Sequence, residues 1–211
     1  MGRHGRGPAA DPTALQIVSP LRDMQALLAE LTGSDETAAE AAALTLAQAG
    51  DAALPSLAML FESPDADDRW WAVRTLAAMP EPRMDWLRRS LDDPNPEVRA
   101  AGALAFIAHP DPSAIQALIG IVGDEDSVVS AVAVSALVAL GPSVVPSLLE
   151  AFSPSSLRGR VKIMRALSEI RDPRAINLMM KTMGEGSAAM QYWAREGLEA
   201  LGLDMVYMKP E

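Results

Sequence analysis

The sequence predicts an all-α protein built as a solenoid of about six two-helix repeats, and two observations carry this prediction. The first is composition, because 49% of the residues are apolar but only 4% are aromatic. Alanine, leucine and methionine dominate the apolar fraction and favour helices, whereas aromatic and β-branched residues favour strands. The second is an internal period, which is the sequence signature of repeat architectures.

Three series of residues share this period, with intervals of 30 or 31 residues. The first series is Leu27, Leu57, Leu87, Leu118, Leu148 and Leu178. The second series is Leu46, Leu76, Phe106, Leu137, Leu167 and Leu198. The third series marks breaks and is Gly50, Pro80, Pro110, Gly141, Arg171 and Gly202. Each repeat is too small to bury its apolar face alone, so stacking of the repeats is expected to create the core.

Each repeat is predicted to contain a first helix, called helix A, and a second helix, called helix B. Helix A often has a proline near its first turn, where the missing N–H costs nothing. These prolines are Pro82, Pro112, Pro142 and Pro173. Asp111 and Asp172 are predicted N-caps. Helix B follows a short acidic or proline-containing turn and ends at the glycine, proline or arginine of the third series.

The predicted organisation has a disordered N-terminal tail, a repeat region and a short C-terminal tail. The tails are 1–18 and 203–211, and the repeat region is 19–202. The repeats are 19–50, 51–80, 81–110, 111–141, 142–171 and 172–202. Small residues recur at aligned positions of helix B, Gly102 and Gly197 among them, and predict close packing from one repeat to the next.

The segment 92–104, Asp-Asp-Pro-Asn-Pro-Glu-Val-Arg-Ala-Ala-Gly-Ala-Leu, resembles the turn and second helix of a HEAT repeat. The segments that begin at Asp111 and Asp172 resemble HEAT first helices. The short period is most similar to the HEAT-like repeats named after the phycobilisome lyases. The resemblance implies a right-handed α–α superhelix of the HEAT/armadillo type, with helix A convex and helix B concave. Most such proteins are scaffolds or adaptors, while others attach bilins to phycobiliproteins, hydroxylate with iron or bind damaged DNA.

The resemblance also implies a structural ladder, in which an arginine early in helix B pairs with turn acids of neighbouring repeats. Arg69, Arg99 and Arg160 match that position. Other repeats depart from it and carry Ala39, Ser130 and Gln191.

Charge and composition argue against several function classes. The net charge is −10, with 18 basic residues against 28 acids, so neither nucleic acid nor an anionic membrane surface is an expected partner. The chain has no cysteine, which fits a reducing, cytoplasmic location and removes thiolate chemistry. The uncharged stretch 127–149 is long enough to span a bilayer, but Gly141-Pro142 interrupts it, and a buried helix pair is expected.

No catalytic residue, metal ligand or cofactor motif is predicted. The sequence lacks a phosphate-binding glycine loop and a nucleophile elbow. His109 aligns with apolar helix-end positions of the other repeats, so a packing role is expected for it rather than a chemical one.

The predicted binding surface is the concave face of helix B. In the third repeat Val98, Gly102 and Phe106 share one helical face, which is assigned to the core. The opposite face is less charged than a solvated face should be, and apolar patches of this kind mark interaction sites. The predicted partner-binding residues are Trp70, Arg74, Leu104, Ile107, Val138, Val161, Arg165 and Tyr192. Of the adjacent Trp70 and Trp71, the helical wheel assigns Trp70 to the exposed face.

Two functions are carried forward from these observations. The first hypothesis is a non-catalytic cytoplasmic scaffold that binds a protein segment, so that the protein is not an enzyme. The alternative is a bilin lyase or chromophore chaperone, in which Arg74 and Arg165 hold the propionates of a tetrapyrrole in the apolar groove. A homodimer through the same patch, or self-packing of these side chains, is a further alternative.

Overall fold

The computed structural model describes residues 23–203, and these residues are helical without any strand, as predicted. The predicted N-terminal tail and most of the predicted C-terminal tail lie outside this range. The chain divides into two compact units, Met1–Glu81 and Pro82–Glu211, and the division falls one residue after the predicted boundary between the second and third repeats.

The first unit contains four helices within the described residues, and helix B of its first repeat packs against helix B of its second. Short 3₁₀ turns precede several helices A in both units. The helices of the first unit are α1 (23–31), α2 (Glu36–Ala49), α3 (Leu54–Phe61) and α4 (Ala66–Ala77).

Residues 82–203 of the second unit contain eight helices, in which α8 packs between α6 and α10, and α12 packs against α10. Each helix B therefore has helix B of the next repeat beside it. The helices are α5 (Met84–Arg89), α6 (Pro96–Ala108), α7 (Ile115–Gly120), α8 (Ser127–Ala139), α9 (Val145–Phe152), α10 (Leu157–Ile170), α11 (Ile176–Glu185) and α12 (Ala188–Ala200).

The core consists of the residues that set the period. All six residues of the second series, from Leu46 to Leu198, are fully buried. Four leucines of the first series are fully buried as well, whereas Leu27 and Leu178 are half-buried. Glycines stand where helices approach closely: a Cβ on Gly197 would lie 3.1 Å from Cα of Ser168 in the neighbouring helix B.

The third series coincides with helix ends. Gly50, Gly141 and Gly202 have positive φ, as helix C-caps commonly do, because glycine adopts this conformation without a Cβ clash. Arg171 occupies the same position with φ 57°, and it is the positive-φ residue other than glycine in the described range. Strain from a Cβ is therefore expected at Arg171 alone.

The caps at the beginnings of the helices follow the sequence with one exception. The side chains of Asp111 and Asp172 accept hydrogen bonds from the backbone N–H groups of Ser113 and Arg174, as predicted. Pro112, Pro142 and Pro173 lie in 3₁₀ turns that lead directly into helices A, whereas Pro82 lies outside any helix or 3₁₀ turn, two residues before α5.

Among the acids of residues 23–203, Asp172 has the pKa that is shifted furthest from its ordinary value. The side chain of Arg174 donates two hydrogen bonds to its carboxylate, at 2.7 and 2.8 Å, and lowers its pKa to about 2. Another bond from Arg174, to the carbonyl of Pro142, links the sixth repeat to the fifth.

We expect Asp172 to titrate near pH 2 in the native protein and nearer its ordinary value of 3.8 in Arg174→Ala. Since the folded pKa is the lower one, the stabilisation is present above about pH 4 and is lost as the pH falls through about 2. A carboxyl NMR titration of both proteins measures the two midpoints. A native midpoint near 3.8 would contradict the assignment.

Among residues 23–203, one helical segment is long and apolar enough to cross a membrane, and a bent helix pair passes the same test only if it is counted as one span. One is Glu36–Phe61, and the other is the pair Ser127–Ala139 and Gly141–Phe152, which bends by 112° at its break. The bent pair coincides with the stretch predicted as a buried helix pair. Its first helix buries one face, to which Val129, Ala133 and Leu137 belong.

Candidate functional site

The outward face of the helices B in the second unit carries exposed apolar side chains. Burial of Val98 and Phe106 against the core fixes the rotation of α6, so that Leu104 on its opposite side is 54% exposed. Tyr192 on α12 is 53% exposed, and Ile107 is exposed to a lesser degree. Val138 and Val161, on the two helices between them, are half-buried. We call Leu104, Ile107, Val138, Val161 and Tyr192 the apolar strip.

Arg165 lies on α10 and is engaged by its own neighbours. Its Nε donates to Oε1 of Glu169 at 2.7 Å, one helical turn along the same helix. Its guanidinium also lies over the ring of Trp193, 5.5 Å from the centroid, and Trp193 meets the ring of Tyr192 edge to face. An anionic group that approaches Arg165 must therefore compete with Glu169.

The first unit repeats this arrangement with different residues. The guanidinium of Arg74 on α4 pairs with Glu40 on α2, with Nε 3.3 Å from Oε2, and lies over the ring of Trp70 at 5.2 Å. The prediction that Trp70 is the exposed member of its pair is wrong. Trp70 and Trp71 are both half-buried, because their rings pack edge to face with centroids 4.8 Å apart.

At the turns between helices A and B, Arg99 joins two repeats. Its Nη1 donates to the carbonyls of Asp93 and Pro94 in its own turn. Its Nε and Nη2 donate to the two carboxylate oxygens of Asp124 in the next turn, at 2.9 and 3.0 Å. Burial alone would raise the pKa of Asp124, but the hydrogen bonds from Arg99 and the backbone outweigh burial and lower it.

In the fourth repeat, where the ladder position has no arginine, an arginine from another repeat makes the corresponding hydrogen bonds to the turn. Ser130 stands where the third repeat has Arg99, and its hydroxyl donates to the carbonyl of Val122. Arg158 of the fifth repeat reaches back and donates to the carbonyls of Asp124 and Glu125, at 3.2 and 2.9 Å. These carbonyls precede Ser130 by the same number of residues as Asp93 and Pro94 precede Arg99, so Arg158 bonds to the groups that an arginine at 130 would use.

A cavity of about 640 Å³ lies beside Asp124 and Glu125. Arg99, Asp124, Ser155 and Ser156 contribute polar groups, and Gly123 and Gly159 leave the space open. The sequence alone does not predict this cavity, because its lining comes from three successive repeats.

Arg69 shows the same local pattern as Arg99, since its Nη1 donates to the carbonyls of Ser63 and Pro64. Arg160, the other member of the predicted ladder, does not. Its Nε is buried and has no hydrogen-bond partner among residues 23–203. His109 is half-buried at the end of α6. Among the same residues, no three His, Asp or Glu side chains come together as a potential metal site.

Comparison with known proteins identifies the relatives of this chain. This chain matches the family of HEAT repeats over residues 24–106, 54–138 and 84–156, which together cover more than half of the chain. The bilin biosynthesis protein RpcF of Synechococcus sp. (strain WH8020) is 36% identical over 91 residues, 43% of this chain and 44% of the relative. The phycocyanobilin lyase subunit beta of Nostoc sp. (strain PCC 7120) is 35% identical over 89 residues, 42% of this chain and 44% of that protein. The match thus spans less than half the length of these curated relatives.

A solved structure shows the same kinship at the level of the fold. The complex of CpcE and CpcF of phycocyanin lyase from Nostoc sp. PCC7120 contains a chain with a TM-score of 0.52 and 26% identity. The similarity covers 69% of this chain and 98% of that one.

These relatives overturn the first functional hypothesis. Proteins named as lyase subunits and as a bilin biosynthesis protein support the alternative, the lyase, better than a non-catalytic scaffold or adaptor. The prediction that the protein is not an enzyme is wrong on the same finding. The predicted fold class is confirmed by the helical repeats and the family match. This chain belongs to the HEAT repeat family, and its sequence is similar to those of the lyase subunits named above.

Proposed function

We propose that this chain is a bilin lyase subunit that holds an open-chain tetrapyrrole on the apolar strip of its second unit. The single observation that carries the proposal is its 36% identity to a bilin biosynthesis protein, which a second lyase subunit supports at 35%. The shared fold alone would not suffice, because one fold hosts many functions.

The chemistry of the apolar strip suits a flat, conjugated ligand with acidic side chains. Leu104, Ile107 and Tyr192 offer exposed apolar surface that a tetrapyrrole would remove from water. Arg165 lies on the helix that also carries Val161, and a propionate of the bilin would displace Glu169 from it. Because the chain has no cysteine, it cannot hold the bilin through a thiol of its own, and the binding proposed here is non-covalent.

A second polypeptide belongs to this proposal. The similar solved structure is a complex of two chains, CpcE and CpcF, and we expect this chain to act with a second lyase subunit rather than as a homodimer. The cytoplasm is the expected compartment, since a chain without cysteine is suited to reducing conditions.

Titration of the chain with phycocyanobilin, followed by absorbance and fluorescence, tests the proposal. Leu104→Asp should weaken binding by about 10-fold to 100-fold, because it removes apolar contact and places a carboxylate against the ring system. Leu44→Asp is the matched control. Leu44 occupies the equivalent position in α2 and is 56% exposed, nearly as much as Leu104, but it lies outside the apolar strip.

The second measurement is denaturing electrophoresis of the pigmented complex, from which the bilin should be released. Equal losses of affinity in Leu44→Asp and Leu104→Asp would show that the apolar strip is not the site. Pigment that stays on the denatured chain would contradict non-covalent binding.

A further inference from the structure

The guanidinium of Arg160 lies at a small cavity in the second unit, away from the apolar strip. Its Nε is buried without a hydrogen-bond partner among residues 23–203. Buried polar atoms are paired in the great majority of cases, so an orphaned nitrogen in a native protein calls for an explanation. Arg160 as a whole is half-buried, and its guanidinium is permanently charged, so Nε keeps its proton and remains a hydrogen-bond donor.

The third repeat shows which group this position takes. Arg99 is aligned with Arg160, and its Nε donates to Oδ2 of Asp124 while its Nη2 donates to Oδ1. Such bidentate pairs are the preferred geometry for arginine and a carboxylate. The nitrogen that is satisfied by a carboxylate in Arg99 is the one that is orphaned in Arg160.

The chain has an acid at the position that corresponds to Asp124, but the local structure does not pair it with Arg160. Glu185 follows Arg160 at the same separation as Asp124 follows Arg99. Asp124 lies in a turn beyond the end of α7, and its Oδ1 also accepts from the N–H of Asp126. Helix α11 instead continues through Glu185, which remains exposed and unpaired with Arg160.

We propose that the cavity at Arg160 binds a carboxylate on a short aliphatic arm, whose oxygens take Nε and Nη2 of this arginine. The cavity measures about 230 Å³ and is lined by Lys181 and Glu185 together with Phe152, Leu178 and Met190. Two cations against one acid favour an anion, and the apolar side chains suit the arm. Pockets that hold drug-sized ligands measure about 300–1,000 Å³, so this smaller cavity has room for only a small group. This site does not depend on bilin binding.

NMR titration of the full chain with sodium propionate tests this inference, with the Nε–H resonance of Arg160 as the readout. We expect a saturable shift with a half-point on the order of millimolar, as suits a ligand of so few atoms. The Nε–H resonance of Arg99, already paired, should not move. Sodium chloride at the same ionic strength is the control for general charge screening.

Two variants and one peptide complete the experiment. Arg160→Gln should weaken propionate binding at least 10-fold, and Glu185→Gln should leave it equal or tighter, because a competing acid is removed. A short peptide with a single aspartate identifies the source. Binding that is 10-fold tighter than that of propionate assigns the site to a partner polypeptide, whereas equal binding assigns it to a small free acid.

Two results would overturn the inference. One is a shift that rises linearly with propionate and matches the sodium chloride control. The other is a large shift of the Arg160 resonance in Glu185→Gln without propionate, which would show that Glu185 is already its partner in solution.

Discussion

Replacement of Arg99 with alanine is expected to lower the free energy of unfolding by about 3 kcal/mol. The sequence alone suggests an exposed ion pair, for which about 1 kcal/mol would be the upper limit. The structure changes that expectation, because the side chains of Arg99 and Asp124 are only 18% and 11% exposed. The substitution removes four hydrogen bonds and leaves Asp124 with much of its charge uncompensated.

Urea denaturation followed by circular dichroism measures this effect, with Arg88→Ala as the control for an exposed arginine of the same unit. Arg88→Ala should change stability by less than about 0.5 kcal/mol. Asp124→Asn in the Arg99→Ala background should recover part of the loss, since no buried charge is then stranded. If Arg99→Ala costs no more than Arg88→Ala, the bridge between the turns is not a stabilising contact.

The pH dependence of the same variant provides a second readout. The pKa of Asp124 is lowered in the folded protein, so its ion pair stabilises the fold above its ordinary value of 3.8 and loses this effect as the pH falls further. The difference between the native protein and Arg99→Ala should therefore shrink below about pH 4.

The fold could be predicted from the sequence because its determinants repeat. Leu76, Phe106 and Leu137 mark one buried position in three successive repeats, and glycines mark the helix ends. Caps follow from single residues such as Asp111. Pro82 shows the limit of such local rules: the proline matches the pattern, but it lies outside any 3₁₀ turn, and α5 begins two residues later.

The site was less predictable, because its contacts join residues that no period relates. A helical wheel places Leu104 outside the core, but it contains no information on what neighbouring helices supply. Arg74 and Arg165 were predicted as partner contacts, and each already pairs with a carboxylate and stacks on a tryptophan ring. Arg158 replaces the missing rung from the following repeat, which requires the three-dimensional arrangement of the turns.

The function could not be derived from the repeat at all. HEAT-like repeats provide helices whose core positions are constrained by packing, whereas their surface positions are free to vary. The composition excludes thiol chemistry, since the chain has no cysteine, but it does not distinguish a surface that binds a polypeptide from one that binds a pigment. Similarity to named relatives favours the lyase alternative over the scaffold.

Phe106→Ala and Leu104→Asp, two residues apart on α6, are expected to affect different properties: the first should lower stability, and the second should lower affinity for the bilin. Phe106 is fully buried, so its truncation should cost about 3–5 kcal/mol through lost burial and a residual cavity. Leu104 points away from the core, and an aspartate there should change stability by less than about 1 kcal/mol. Urea denaturation of both variants, combined with the phycocyanobilin titration, separates a folding role from a binding role.

Urea denaturation and the phycocyanobilin titration together decide whether the apolar strip is exposed and available to a ligand. Because Phe106 is fully buried in α6, a helix that packs against α8, loss of its ring should lower the midpoint of the transition. Leu104→Asp should keep the native midpoint and lose affinity for the bilin. If Leu104→Asp instead destabilises the protein as much as Phe106→Ala, Leu104 is part of the packed interior in solution. The apolar strip is then not available to a ligand, and the proposed bilin site must lie elsewhere in the chain.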